Sequence, residues 1–232
     1  MRTIQLKDAL EYNSKTIENI VSIPHGFKMS EIAMDNIFVM FHRNRDNEPL
    51  IVSLNVWDGF QKNEIASGIV LIEGNKALVI APTETTLCWS SKAVSGGGKT
   101  TTDRIAAFED WDGKANTAAQ ITHSECNTEN YASGFCSTYS RVNASGKGLT
   151  SGSWWLPSLG EMMEIYANIK KINYALSFIT GSVLLSGTYW SSTEVNSNNA
   201  WVLGLHDGYT NYRTYNKVSS QLHVRPVSSF FL

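Results

Sequence analysis

The sequence predicts an α+β fold of short antiparallel strands, one long helix and a small N-terminal helix/hairpin segment. Three observations lead there. Apolar, β-branched runs recur between turns rich in Gly, Asn and Asp, the pattern of short strands. One segment, 158–172, joins an N-terminal capping signal to a sustained apolar face at helical spacing. The 232 residues include 17 Gly, 7 Trp, 9 Tyr and 9 Phe but only 17% charged residues, which suits irregular β structure better than a helical bundle.

From the N-terminus, Ile4, Leu6, Ala9, Leu10, Ile17 and Ile20 give a helical pattern that Asn13-Ser14 interrupts and Pro24-His25-Gly26 ends. The runs 37–41 and 50–57, joined by Arg43-Asn44-Arg45-Asp46-Asn47, read as a hairpin. Residues 1–62 are expected to form an attachment or oligomerisation segment, or else to pack on the main domain. That domain, 63–232, should open with a hairpin of 69–72 and 77–81 around Glu73-Gly74-Asn75-Lys76. A turn at Asp112-Gly113 should precede a helix starting near Asn116-Thr117, and 131–139 is a candidate short helix. Ser158 and Glu161 form a capping box, followed by Met162, Ile165, Tyr166, Ile169 and Ile172 on one face of a single long helix. Short strands should follow at 188–192, 200–205, 209–215 and 222–227, with Asp207-Gly208 as a turn and Pro226 on an edge strand.

The whole-chain numbers exclude several classes. A net charge of -2 gives no electrostatic case for nucleic acid or an anionic membrane. No stretch has the length of a transmembrane helix. The first residues, Met1-Arg2-Thr3-Ile4-Gln5-Leu6-Lys7-Asp8, carry no secretory signal, so synthesis without export by the general route is expected. The three cysteines, Cys88, Cys126 and Cys136, do not make a disulfide framework. Cys126 and Cys136 read as free, partly buried thiols in preference to a local pair.

Two motifs fail on spacing. Gly96-Gly97-Gly98-Lys99-Thr100 resembles a phosphate loop, but Ala93 stands where the first Gly is needed and no apolar strand precedes it, so a flexible surface loop is expected. Asp110-Trp111-Asp112-Gly113 brings Gly too early for a helix-loop-helix calcium site. His123, His206 and His223 are scattered, and no nucleophile motif accompanies them. No cofactor and no metal is expected.

The functional signal lies in the C-terminal run. Trp190, Trp201, Leu203, Leu205, Val224 and Val227 read as scaffold. Between them, Asn198, His206, Asp207, Tyr209, Asn211, Tyr212, Arg213, Thr214 and Tyr215 follow no helical period. They are the residue types of a recognition surface, where Tyr supplies rigid amphipathic area and small polar groups supply adaptable hydrogen bonds. Strand alternation sends Trp201, Leu203 and Leu205 to one face and Val202, Gly204 and His206 to the other, the candidate binding face.

Trp155-Leu156-Pro157-Ser158-Leu159-Gly160-Glu161, Tyr189-Trp190-Ser191-Ser192-Thr193-Glu194, Ala200-Trp201, Asp207-Gly208 and Val224-Arg225-Pro226-Val227 together resemble the C-type-lectin-fold variable proteins diversified by retroelements in gut bacteria and their phages. Trp111-Asp112-Gly113-Lys114-Ala115-Asn116-Thr117 resembles a segment of the same family, and the likeness covers about residues 66–230. The resemblance implies a C-type lectin-like domain whose C-terminal strands display a ligand-binding surface. In diversified members, adenines of Asn-type codons are randomised, which cannot produce Lys, Glu, Gln, Met or Trp. Val202, Gly204, His206, Asp207, Tyr209, Asn211, Tyr212, Arg213, Thr214 and Tyr215 all lie within the reachable set; Trp190, Trp201 and Lys217 do not. The resemblance further implies a protein or glycan receptor on a cell surface as partner, a virion (phage tail-fibre tip) location, and a homotrimer as one open oligomeric state.

Two other classes compete. A non-diversified structural virion or surface protein of the same fold would lack exposed aromatics at its C-terminal face. The formylglycine-generating enzyme shares the broad fold, but resemblance would place its copper-binding cysteines late in the chain, and none follows Cys136. A non-enzymatic binder is the reading that the residues favour.

Overall fold

The computed structural model describes residues 36–61, 63–74, 76–206, 208 and 215–229, the side chains of 60 and 61 excepted. The N-terminal helix expected over 4–20 lies outside them. Strand β1 (Ile37–His42) pairs antiparallel with β2 (Pro49–Val52). The turn between them is tied by Arg43, which bonds Asp46 and Glu48, and by Asn47 at φ 61°. A helical turn, α1 (Leu54–Val56), runs into a π-helical turn, Trp57–Gln61. Strands β3 (Ala66–Glu73) and β4 (Lys76–Ile80) form the expected hairpin.

β1 also pairs with β3, in register Ile37↔Leu71 to Phe41↔Ala66, so one five-stranded antiparallel sheet runs β11-β4-β3-β1-β2 with β11 at Val227–Ser229. The expected boundary between 62 and 63 therefore falls inside a sheet. Residues 37–52 belong to the main domain, because Val39, Phe41, Leu50 and Val52 are buried in the same core as Ile69 and Ile80.

A second sheet runs β5-β10-β8-β9, from β5 (Thr85–Leu87), β8 (Thr188–Glu194), β9 (Ala200–Gly204) and β10 (Leu222–Val224). Only its β10–β8 pairing is parallel. The expected strand 222–227 is thus two strands in two sheets. Arg225-Pro226 carries the chain across, and the Pro226 carbonyl accepts from the Ala81 amide at 3.0 Å. A ribbon of β6 (Arg141–Val142) and β7 (Gly148–Leu149) completes the strands among the described residues.

Helix α2 (Arg104–Phe108) starts on the Asp103 cap. α3 (Gly113–Gln120) starts earlier than expected, since the Asp112 side chain caps the Ala115 amide. α4 (Ala132–Thr138) is the expected short helix. α5 (Leu159–Ala167) carries the expected capping box, with Ser158 and Glu161 bonding each other's backbone. The single long helix expected from periodicity is two. Asn168 ends α5 at φ -110°, its side chain bonds the Glu164 carbonyl, and α6 (Ile169–Leu176) starts anew.

Three cores follow from the alternation. Helices α5 and α6 pack on the first sheet and on one face of β9 with Met162, Ile165, Ile172, Leu176, Trp201 and Leu203. A second core, Trp89, Cys126, Cys136, Leu156, Trp190, Val202 and Val224, fills the other face of the second sheet. Met40, Val70, Val79 and Trp154 form the third, on the opposite face of the first sheet. Cys126 and Cys136 are free buried thiols, and burial pushes Cys126 up to about 12 and Cys136 well above the ordinary thiol range. Among the described residues no helix is long and apolar enough to cross a membrane.

Candidate ligand-display surface

The segment 206–215 is tied at its far end by a buried ion pair and at its near end by main-chain hydrogen bonds. At the far end, Lys217 is fully buried, its ammonium 2.5 Å from the Glu194 carboxylate and 2.8 Å from the Val94 carbonyl. The same ammonium lies 4.0 Å from the Trp89 ring centroid. Burial lowers the Lys217 pKa, and the Glu194 charge opposes that shift. Glu194 also accepts the Gly96 amide at 2.9 and 3.1 Å. A side chain on Gly96 would meet Gln120 Cγ at 2.6 Å and the Trp89 ring at 3.0 Å, so the loop must be Gly there. The stretch expected to be a flexible loop is instead pinned at Gly96 to this ion pair.

The main chain repeats the tie. The Lys217 amide donates to the Asn198 carbonyl at 2.9 Å, its carbonyl accepts from Trp89 and Ser90, and Asn199 bridges Asn216. At the near end, the Leu205 amide donates to Gly187 and the Gly208 amide to Gly204, at 2.8 and 2.7 Å. Gly208 has φ +75° and packs on Tyr166 of α5, where an added Cβ would lie 2.8 Å from the hydroxyl.

Underneath, the indole N–H groups are spent on backbone carbonyls. Trp89 donates to Ser191, Trp190 to Leu87 and Trp201 to Thr101, at 2.9–3.1 Å. Asp110 accepts from Asn116 and Thr193 through one carboxylate oxygen and from the Asp112 amide through the other. Gln120 donates to the Ser192 carbonyl at 2.6 Å and accepts from Ser133 at 2.5 Å. Beside β10, Glu84 bonds Arg225, Tyr189 and His223, and Arg225 reaches the Ala81 and Val183 carbonyls. Among the described residues, no group of three His, Cys, Asp or Glu could hold a metal ion.

The expected site residues divide. Asn198 is exposed in the β8–β9 turn, and His206 is exposed just beyond β9. Tyr215 is half-buried, packed on the second core. Val202 and Gly204 are buried and not on a ligand face. The alternation along β9 holds, but each of its faces has a core against it, so Val202 packs beside Trp190 and Val224. Asp207, Tyr209, Asn211, Tyr212, Arg213 and Thr214 lie outside the described residues. Trp190, Trp201 and Lys217, expected as scaffold, are all fully buried.

A cleft of about 520 Å³ was not visible in the sequence. Leu71, Leu78 and Trp155 wall it, and Glu161, Glu164 and Trp111 line it. Trp111 is 39% exposed, with the Lys76 ammonium 4.1 Å from its ring centroid. Glu161 is buried, accepts from Trp155 Nε1 and the Ser158 amide, and is raised by burial to about 7. Burial, and next the Glu73 charge, raises Glu164 as well. Glu164 and Tyr166 are two residues apart, about 200° around the helix. The cleft and Gly208 thus meet α5 on different sides.

No family model and no curated protein matches the chain. Among solved structures, it is similar to a fimbrial protein from Bacteroides ovatus ATCC 8483, at 16% identity and a TM-score of 0.45. That match covers 66% of this chain and 36% of the fimbrial chain, so this chain spans little more than a third of its length.

Proposed function

We propose that this chain is a non-enzymatic recognition protein with a C-type lectin-like fold, presenting the segment 206–215 as a variable ligand-binding surface. The observation that carries this reading is the contrast between the segment and its supports. The supports are Lys217–Glu194, the Leu205–Gly187 bond and three buried tryptophans. The sequence between them is His206-Asp207-Gly208-Tyr209-Thr210-Asn211-Tyr212-Arg213-Thr214-Tyr215, rich in the residues of adaptable paratopes. Rigid ends lower the ordering cost of binding, which is how a short segment can reach useful affinity.

The buried residues that Asn-codon randomisation cannot produce are consistent with diversification by a retroelement. Trp190, Trp201 and Lys217 are each fully buried. Val202 and Gly204 are reachable by such randomisation but buried, so the variable surface is narrower than the sequence implied. In this reading the ligand is a cell-surface protein or glycan, and the chain is the receptor-binding tip of a phage tail fibre.

The test is sequencing of this locus across related isolates. The proposal expects substitutions concentrated at codons 206, 207 and 209–214, sparing 190, 201, 202, 208 and 217. A segment no more variable than 66–180 overturns the variable-binder reading in favour of a fixed structural role.

A further inference from the structure

The Trp111 cleft is built from described residues spread over the chain, from Leu71 to Ser229, all outside the display segment. Its chemistry is selective. Apolar walls carry an indole that remains 39% exposed and so keeps part of its ring open to the cleft. Its lining also includes residues of different polar character: Glu73 and Glu164, whose carboxyls accept, Lys76, whose ammonium donates, and Ser229, whose hydroxyl does either. Glu161 at the wall is engaged by Trp155 Nε1 and the Ser158 amide.

Mixed donors and acceptors around an apolar, aromatic wall suit a ligand that has hydroxyls on its edge and C–H bonds on its face. A free cation suits it less well. The Lys76 ammonium already lies over the Trp111 ring and offsets one carboxylate. An anion would meet Glu73 and Glu164.

We infer that this cleft is a second, fixed ligand site for a neutral saccharide, with the sugar's C–H groups against the part of the Trp111 indole that Lys76 leaves exposed and its hydroxyls on Glu164, Lys76 and Ser229. The volume of about 520 Å³ lies within the range of ligand pockets and accommodates one or two sugar rings. Among the described residues, none that lines the cleft belongs to 206–215. A recognition protein built this way would hold a common surface sugar in the cleft while its displayed segment selects the particular receptor, and the two modest affinities would multiply.

The test is saturation-transfer NMR of the full chain with glucose, galactose, mannose and N-acetylglucosamine, at about 10 mM each to reach millimolar affinities. At least one sugar should receive saturation on its ring C–H protons. Trp111→Ala should weaken it about tenfold or more. Glu164→Gln should weaken it with the circular-dichroism spectrum unchanged, and Tyr212→Ser should leave it unaltered. The inference is overturned if no sugar of the panel binds, if Trp111→Ala binds as well as the parent, or if arginine or sialic acid binds Trp111 in place of neutral sugars. Loss of sugar binding in Tyr212→Ser alone would place the sugar on the display segment instead, which also overturns it.

Discussion

The Lys217 ammonium and the Glu194 carboxylate meet at 2.5 Å with neither side chain exposed. Buried charges are stable only when paired and hydrogen-bonded, and here the pairing is completed by the Gly96 amide, the Val94 carbonyl and the Trp89 ring. The pair joins the end of β8 to the return of the chain from the display segment. Removing one partner should cost about 3–5 kcal/mol, because the other charge is left uncompensated. Urea denaturation of Glu194→Gln, Lys217→Met and the Glu194→Met/Lys217→Met double variant would measure this. The double variant should recover part of the loss, and additive losses would show that the two residues are not coupled.

Val202 distinguishes a core position from a binding face. Val202→Ala should cost on the order of 1.5–3 kcal/mol through lost burial against Trp190 and Val224. Val202→Asn should cost about 1–3 kcal/mol more, for an amide with no partner. Asn198→Ala, at an exposed turn, should stay within about 0.5 kcal/mol. Thermal melting of the three variants checks the order, and a well-tolerated Val202→Asn would return that residue to the surface.

Glu161 and His42 give stability opposite dependences on pH. The Glu161 carboxyl rises from 4.5 to about 7 on folding, chiefly by desolvation. The folded state then binds the proton more tightly than the unfolded one. Its contribution is full below about 4.5 and is lost as pH rises to about 7, on the order of 3 kcal/mol in all. His42, buried and 2.7 Å from Ser67 Oγ, falls from 6.5 to about 4 by desolvation. Its contribution is full above about 6.5 and is lost as pH falls to about 4. The two oppose each other in the parent. Glu161→Gln should therefore lose stability on acidification from pH 7 to 5 more than the parent does, and His42→Gln less. Denaturation midpoints at the two pH values decide it, and parallel pH profiles for all three proteins would remove Glu161 and His42 as the cause.

Glu84 is the acceptor hub beside β10. It takes Arg225 at 2.6 Å, Tyr189 at 2.7 Å and His223 at 2.8 Å. Glu84→Ala should leave the buried Arg225 guanidinium without its counter-charge and cost about 3–5 kcal/mol. His223→Ala, at the half-exposed edge of the same cluster, should cost no more than about 1 kcal/mol. Similar losses for both would mean that the cluster acts through packing alone.

What was legible in the sequence was local. The Ser158–Glu161 capping box needs only its own four residues, and the hairpin of β3 and β4 only its turn. Trp190, Trp201 and Lys217 stood out as scaffold because their chemistry sets them apart from the Tyr- and Asn-rich stretch beside them. Long-range pairing was not legible. Nothing in residues 37–52 announces that Ile37 will face Leu71 across a shared sheet. The second core against Val202 did leave a signal: Ala200-Trp201-Val202-Leu203-Gly204-Leu205 is an unbroken apolar run, which marks a strand buried on both faces, whereas reading it as an alternating strand gave one side to solvent. The break at Asn168 was hidden within an apolar period that continues through it. The Trp111 cleft unites residues about 160 positions apart in sequence, beyond the reach of any local pattern.

The separation of frame from display is tested most directly by a proteolysis-resistance scan of every single substitution across residues 187–224, with the full chain displayed on a cell surface. Substitutions at 209–214 should leave protease resistance near that of the parent. Those at Trp190, Trp201, Val202 and Lys217 should abolish it for nearly every replacement. If residues 209–214 prove as intolerant as 200–205, the segment is part of the folded frame, and a variable recognition surface there is contradicted.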